Sequence, residues 1–468
     1  MKESDRIYIS DLSKYIGQTV SLKGWIHIRR DQGKMIFLDI RDSSGVVQSI
    51  ILPKSLAIET GKILREEYVV EVSGIVRERP EQNKKAGILN GDIELEIENI
   101  NVLNTSETPP FPIHEDTSGI NESVRLEHRY LDLRNARMVK NVKNRFSVQH
   151  FVRNYLADNK FFEIETPLLS APTLEGSRSF VVPSRIYKNQ FYSLPQSPQQ
   201  YKQLLMIGGI DKYFQFARCM RDEDTRGDRQ PEFTQLDMEM SFVSREDVMK
   251  LNEELLIKLV QDLYPEKKIQ QIPFPRMSYA EAMEKYGNDR PDIRENKEDP
   301  NLLAFLWVVD FPMFEKTGDD NVDGTGEWTF THNPFSKPQE EYMEAFMKKE
   351  NIGDILSTQY DITLNGFEIG GGSIRNHNPS ALKTTFEIMG YSPERIEQNF
   401  GHMIKALSFG APPHGGIAWG FDRLMMVLEN EPNIREVIPF AKTGDGRDLM
   451  MNAPSDISPK LKTELGLK

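Results

Sequence analysis

The stretch 212–241, KYFQFARCMRDEDTRGDRQPEFTQLDMEMS, constrains this chain more than any other. Both of its ends alternate with period two, the mark of paired strands. In the second, Phe233, Gln235, Asp237, Glu239 and Ser241 share one face, while Thr234, Leu236, Met238, Met240 and Phe242 share the other, mostly apolar one. A buried strand seldom aims two carboxylates the same way unless cations meet them. Between the strands lie Arg221, Arg226 and Arg229 among Asp222, Glu223 and Asp224. The order predicts a hairpin whose long loop presents guanidinium groups over an acidic floor, a surface suited to bidentate grip on phosphates. A solvated surface hairpin is the plainer account of such a charge run, and the remaining sequence discriminates between the two.

Residues 1–104 read as all-β, with candidate strands at 20–29, 34–41, 46–52, 68–77 and 92–101. Five short strands predict a five-stranded OB-type β-barrel. Arg29-Arg30-Asp31 and Ile36-Phe37-Leu38 fall where such barrels hold single-stranded nucleic acid; ordinary core is the plainer account of Phe37. Residues 105–134 read as a linker, stiffened by Pro109, Pro110 and Pro112. Met138, Val142, Phe146, Phe151, Val152 and Tyr155 then recur at near-helical spacing, before a strand at 161–165 that stops at Thr166-Pro167. Beyond Pro172, strands with interspersed helices predict a mainly antiparallel sheet flanked by helices, so the second domain, 135–468, makes the chain α+β.

Several classes are excluded or disfavoured. No G-x-x-x-x-G-K-[ST] loop is present, so a P-loop nucleotide site is not expected. No run of about 18 apolar residues offers a membrane span, and the first residues lack the apolar core of a signal peptide. The single cysteine, Cys219, permits no disulfide framework and points to the cytoplasm. A net charge of -13 argues against a non-specific nucleic-acid coat but leaves room for a partner met by local basic patches.

Two further constellations carry chemistry. His414-Gly415-Gly416-Ile417-Ala418-Trp419-Gly420-Phe421-Asp422-Arg423 reads as a glycine-rich strand entering a helix, open to close ligand approach. Residues 361–370 form a hairpin around Asn365-Gly366. A two-residue turn sets Thr363 opposite Glu368 and places Asp361 diagonal to Glu368 on one face, within reach of one cation. Hard carboxylate oxygens suit Mg²⁺ completed by substrate phosphates.

Arg221-x-Glu223, a loop and Arg229-x-x-x-Phe233 resemble motif 2 of the class II aminoacyl-tRNA synthetases. RQPEFTQLDMEMSF is similar to their aspartyl branch. The helix, strand and proline of 138–167 resemble motif 1, and 414–424 resembles motif 3, with Phe421-Asp422 pointing again to the aspartyl branch. The resemblance covers nearly the whole chain. It implies ATP-dependent attachment of L-aspartate to tRNA through an aspartyl-adenylate, by a homodimer. It assigns ATP to Arg221, Asp222, Glu223, Gln230, Phe233, Glu368, Gly420, Phe421, Asp422 and Arg423. Of these Arg221 and Arg423 are the catalytic pair, on the α- and γ-phosphates, and Phe233 stacks on adenine. It gives Mg²⁺ to Asp361 and Glu368. It surrounds aspartate with Glu175, Gln199, Lys202, Arg221, Asp237, His332 and Arg375, of which Lys202 and Arg375 meet the side-chain carboxylate and Asp237, Gln199 and Glu175 the ammonium. It gives the tRNA anticodon to Arg30, Gln32, Phe37 and Gln48.

Three departures are visible. Asn333 stands where the bacterial pattern has a second histidine, and the short run 295–301 stands where an insertion domain is usual. Gln32 replaces the histidine of relaxed and the leucine of strict enzymes, which leaves open whether tRNA(Asn) is also charged with aspartate. Glutamine offers both a donor and an acceptor, which favours the relaxed type. An asparaginyl enzyme shares the scaffold, but a neutral substrate gives no reason for both Lys202 and Arg375. A catalytically dead tRNA-binding paralogue would not need Arg221, Glu368 and Arg423.

Overall fold

The computed structural model describes residues 6–172, 178–317 and 326–467. Two compact units divide the chain, the first running to residue 125 and including 130–136, the second comprising 126–129 and everything from 137.

In the first unit the strands Thr19–Gln32, Met35–Arg41, Val46–Ile51, Val69–Glu78 and Ile93–Asn104 close into a barrel in which the fifth strand lies between the third and fourth. Alternate residues fill it, among them Val20, Leu22, Ile36, Leu38, Val70, Val72 and Leu95. The segment after the barrel is packed rather than free. Phe111 and Ile113 are buried, Asn135 Nδ2 donates to the carbonyl of Ile113 at 3.0 Å, and Thr117 Oγ1 donates to Asp132 at 2.7 Å.

The second unit is built on an eight-stranded sheet. Six strands are antiparallel neighbours: Phe305–Val309, Tyr360–Leu364, Phe367–Ile374, His414–Gly420, Glu232–Ser241 and Lys212–Met220. Short parallel strands, Arg276–Ser278 and Phe162–Glu163, close the two edges. The second of these is shorter than the run 161–165 that alternation suggests. The apolar face of the Glu232–Ser241 strand, Leu236, Met238 and Met240, packs with Val148, Val152 and Leu156 of the helix Ala136–Asp158 and with Leu255, Leu256 and Leu259 of the helix Arg245–Leu263. That second helix starts at a capping box: the Ser244 hydroxyl accepts from the Asp247 amide and the Asp247 carboxylate accepts from the Ser244 amide.

Candidate active site

The opposite face of the same sheet floors a cavity of about 740 Å³. Asp237 and Glu239 point to that side and neither touches solvent. Two cations meet them, as the sequence requires. Lys202, on the helix Gln199–Ile207, places Nζ 2.6 Å from Asp237 Oδ1 and 3.3 Å from Glu239 Oε2. Arg375, just past the strand Phe367–Ile374, donates Nε and Nη2 to the two oxygens of Glu239 at 2.9 and 3.0 Å. Its Nη2 also donates to the Gly416 carbonyl at 3.3 Å, and Nη1 donates to Ser373 Oγ at 2.8 Å. A guanidinium has five N–H groups, so one Nη1 N–H is left over among the described residues. Among the described residues, Asp237 Oδ2 and Gln199 Nε2 are buried with no hydrogen-bond partner. A buried orphan oxygen and a buried orphan amide are costly, and together with Lys202 and Arg375 they offer a small zwitterion what it needs.

Electrostatics separate the two acids. Burial raises the Asp237 pKa, with Lys202 offsetting only part of the effect. Burial pushes Glu239 the same way, but Arg375 and Lys202 outweigh it and hold its pKa down to about 2. The four groups therefore form a compact, nearly neutral cluster. Glu239 belongs to this site although family likeness did not assign it there; its place on the Asp237 face was the available signal.

The other end of the cavity is lined by the loop between the two central strands. The Arg221 guanidinium lies over the Phe233 ring, 5.2 Å from its centroid. Arg423 donates Nη1 to the Glu368 carbonyl at 3.0 Å and Nε to the Asp228 carbonyl at 3.2 Å, and its Nη2 pairs with the Asp228 carboxylate at 3.2 Å. Gln230 Oε1 accepts from the Lys442 amide, while its Nε2 has no partner among the described residues. Glu223 and Gly420 line the same space.

Two residues assigned to ATP lie elsewhere. The Phe421 ring is fully buried, edge-on to Phe216 at 5.2 Å, because it opens the helix Phe421–Leu428 on the core side. The Asp222 side chain is exposed and faces a neighbouring cavity with Arg226. Glu175 falls outside the described residues. The helix begins at Phe421, two residues ahead of Arg423.

Asp361 and Glu368 do converge, by a different route. A bulge on the hairpin sets Asp361 opposite Gly371 instead of leaving a regular diagonal. A Cβ at Gly371 would stand 2.7 Å from Asp361 Oδ1 and 3.6 Å from Glu368 Oε1, so only glycine leaves the space between the carboxylates clear. Burial, and then the Glu368 charge, raise the Asp361 pKa well above the carboxylate range. Among the described residues no group of three or more His, Cys, Asp or Glu could hold a metal. Two carboxylates awaiting oxygens from a ligand fit Mg²⁺ better than a self-sufficient metal site.

His332 opens onto the cavity and meets Phe311 edge-on at 4.9 Å. The surrounding protein lowers its pKa, only partly offset by Glu368. Asn333 lines the same wall, its Oδ1 occupied by the Phe335 amide at 2.8 Å.

On the barrel, Arg30 faces Phe37 across the first two strands and Asp39 faces Gln48 across the next two, so all four share one outer face. Arg30 forms a two-point contact with Asp39 at 3.1 and 2.9 Å. Gln48 Nε2 donates to Glu94 at 3.4 Å, which adds an acid that sequence reasoning missed. Gln32 is exposed at the strand end.

Residues 121–444 match the model of the class II tRNA synthetases for D, K and N, and 20–103 match the OB-fold nucleic acid binding domain. The aspartate–tRNA ligase of Staphylococcus carnosus (strain TM300) is 36% identical over 579 positions, covering 97% of each chain. That of Staphylococcus aureus (strain NCTC 8325 / PS 47) is 36% identical over 581 positions with the same coverage. These alignments exceed the 468 residues here by more than a hundred positions, which only the relatives fill. Among solved structures, the asparaginyl-tRNA synthetase from Pyrococcus horikoshii complexed with asparaginyl-adenylate superposes with a TM-score of 0.74 at 23% identity, over 95% of this chain and 99% of that one. A putative aspartyl-tRNA synthetase from Leishmania major Friedlin gives 0.73 at 21% identity, over 94% of each.

Proposed function

Because the chain belongs to the class II aminoacyl-tRNA synthetases, and within them to the aspartate–tRNA ligases, we propose that ATP and L-aspartate meet in the cavity above Asp237 and Glu239. The reaction is the ATP-dependent attachment of aspartate to tRNA. An α-carboxylate oxygen attacks the α-phosphorus, the bond to the β-phosphate breaks and pyrophosphate leaves. A ribose hydroxyl at the tRNA end then attacks the aspartyl carbonyl, and AMP leaves. No general base is required for the first step, since positioning and charge neutralisation supply most of such a barrier.

In this reading the side-chain carboxylate bridges Lys202 and the open N–H of Arg375, and the ammonium takes Asp237 Oδ2, with Gln199 beside it. Glu175 remains a further candidate for the ammonium. The orphan Asp237 oxygen beside two buried cations carries the assignment. Arg221 and Arg423 neutralise the α- and γ-phosphates, and adenine takes the Phe233 face, displacing Arg221 from it. Asp361 and Glu368 would hold Mg²⁺, which supplies charge for the phosphates. Pyrophosphate exchange with aspartate or asparagine as the sole amino acid tests the whole: exchange driven better by asparagine would sink it.

The barrel face of Arg30, Phe37, Gln48 and Gln32 is assigned to the anticodon. Exposed Gln32, able to donate and accept, favours the relaxed enzyme that also charges tRNA(Asn). Phe146, on the helix Ala136–Asp158, and Phe162, five residues before the motif 1 proline, are 67% and 62% exposed, and these unpartnered apolar rings support a homodimer. No described helix is long and apolar enough to cross a membrane, and a cytoplasmic site of action accords with the single cysteine, Cys219. The residues missing relative to the staphylococcal chains are assigned to 295–301. That run is tied down locally: the Glu295 amide donates to Gln270 Oε1 at 2.9 Å, and the Lys268 amide to the Asn301 carbonyl at 2.8 Å.

A further inference from the structure

We propose that Arg145, on the helix Ala136–Asp158 and outside the substrate cavity, is a positioning residue that holds the ATP end of the site in register. The proposal rests on reading that cavity as the ATP site. Arg145 Nη1 donates to Asp422 Oδ1 at 2.6 Å and to the Val437 carbonyl at 3.3 Å, and its guanidinium lies over the Phe421 ring, 4.8 Å from the centroid. It thus fixes both residues that precede Arg423.

The second oxygen of Asp422 completes the link. The strand His414–Gly420 ends opposite Gln235, whereas its neighbour Glu232–Ser241 continues three residues further. The Thr234 amide, beyond the last rung on that side, would be orphaned. Asp422 Oδ2 accepts from it at 2.8 Å, so a side chain replaces the missing strand. Thr234 adjoins Phe233, the ring given to adenine, and Asp422 adjoins Arg423, the cation given to the γ-phosphate. One carboxylate therefore sets the spacing between them, and Arg145 orients that carboxylate in a nearly dry setting, with 11% and 4% of the two side chains exposed. A charge-assisted contact in such surroundings is stiff, and small misplacements of binding groups are costly in rate and affinity.

Arg137 supplies the control. It lies on the same helix and pairs with Glu431 and Glu436 at 2.7 and 2.9 Å, none of which lines the cavity. Pyrophosphate exchange should be measured for Arg145→Met, Arg145→Lys, Arg137→Met and Arg423→Ala. A merely structural staple lowers the folded fraction and hence the apparent kcat, leaving KM alone. A positioning residue raises KM for ATP about tenfold while KM for aspartate stays within about twofold, and lysine recovers part of the loss. If Arg145→Met does not fold, Arg145→Lys alone should still raise KM for ATP selectively. An unchanged KM for ATP in every folded Arg145 variant, or the same shift in Arg137→Met, overturns the proposal. If Arg423→Ala is itself unimpaired, the reading of the cavity fails first.

Discussion

The carboxylate of Glu239 takes both Nε and Nη2 of Arg375, at 2.9 and 3.0 Å, with Glu239 shut off from water and Arg375 only 3% exposed. A pair this dry stabilises little by existing but costs about 3–5 kcal/mol when one member is removed, because the other is left charged and buried. Arg375→Met should therefore lower unfolding stability by that order in urea melts, and Glu239→Gln in the same background should recover part of it.

Acid should find the same cluster. The folded Glu239 pKa is about 2, against 4.5 for an ordinary glutamate. A depressed carboxyl contributes stability that is complete above the unfolded value and is lost as pH falls through the folded one. Between pH 5 and roughly 2 the wild-type urea midpoint should fall more steeply than that of Glu239→Gln, in which this contribution is absent. Parallel slopes would contradict the charge assignment.

Lys202→Met should raise KM for aspartate by about a hundredfold or more, because a substrate carboxylate loses its partner in a buried site, while KM for ATP moves far less. Equal losses for both substrates in exchange kinetics would argue that Lys202 holds the fold and not the amino acid.

Arg221→Ala and Arg423→Ala should each cost about 3–4 kcal/mol of transition-state stabilisation, the scale of removing one preorganised charge clamp. Rates near wild type in either variant would remove the phosphate roles.

Phe146→Asp should weaken self-association by placing a charge on an exposed apolar ring of the proposed subunit face. Sedimentation should show a shift toward monomer at micromolar concentration. A wild-type protein that is monomeric and fully active would refute the interface.

Aminoacylation of purified tRNA(Asp) and tRNA(Asn) with aspartate addresses Gln32. A ratio below about a hundredfold, or 2.7 kcal/mol, fits the relaxed enzyme; a larger one means that Gln32 reads strictly. Arg30→Ala should depress charging of tRNA without altering pyrophosphate exchange, since the anticodon face takes no part in adenylate formation.

Much of this was legible because period-two alternation is a local signal. The barrel strands lie within a few residues of their expected bounds, and the paired acids of the Glu232–Ser241 strand announced that cations must meet them. What alternation cannot supply is which cations. Arg375 lies 136 residues from Glu239 and reaches it only through the sheet order. Phe421 was misassigned because adjacency in a motif says nothing about direction: at a strand-to-helix turn, Phe421 faces the core and Arg423 the cavity. The Asp361–Glu368 register was missed by one bulge, a feature with no signature in Asp-Ile-Thr-Leu-Asn-Gly. Residues 105–134, read as a spacer from their prolines, owe their packing to Phe111 and Ile113.

The glycines of the His414–Gly420 strand bear on how such an enzyme could be retargeted. A Cβ at Gly416 would stand 2.0 Å from the Met238 carbonyl oxygen and 2.3 Å from Glu239 Oε2, a clash that no rotamer relieves. The emptiness at Gly416 is thus the volume that Glu239 occupies, and Glu239 in turn is what Arg375 and Lys202 lean upon. A change of amino-acid diet made at Lys202 or Arg375 alone inherits a counter-charge and a slot shaped for the original tenant. Positions 202, 237, 239, 375 and 416 come from four separate stretches of chain yet constitute one heritable unit, and a new specificity has to be written into them together.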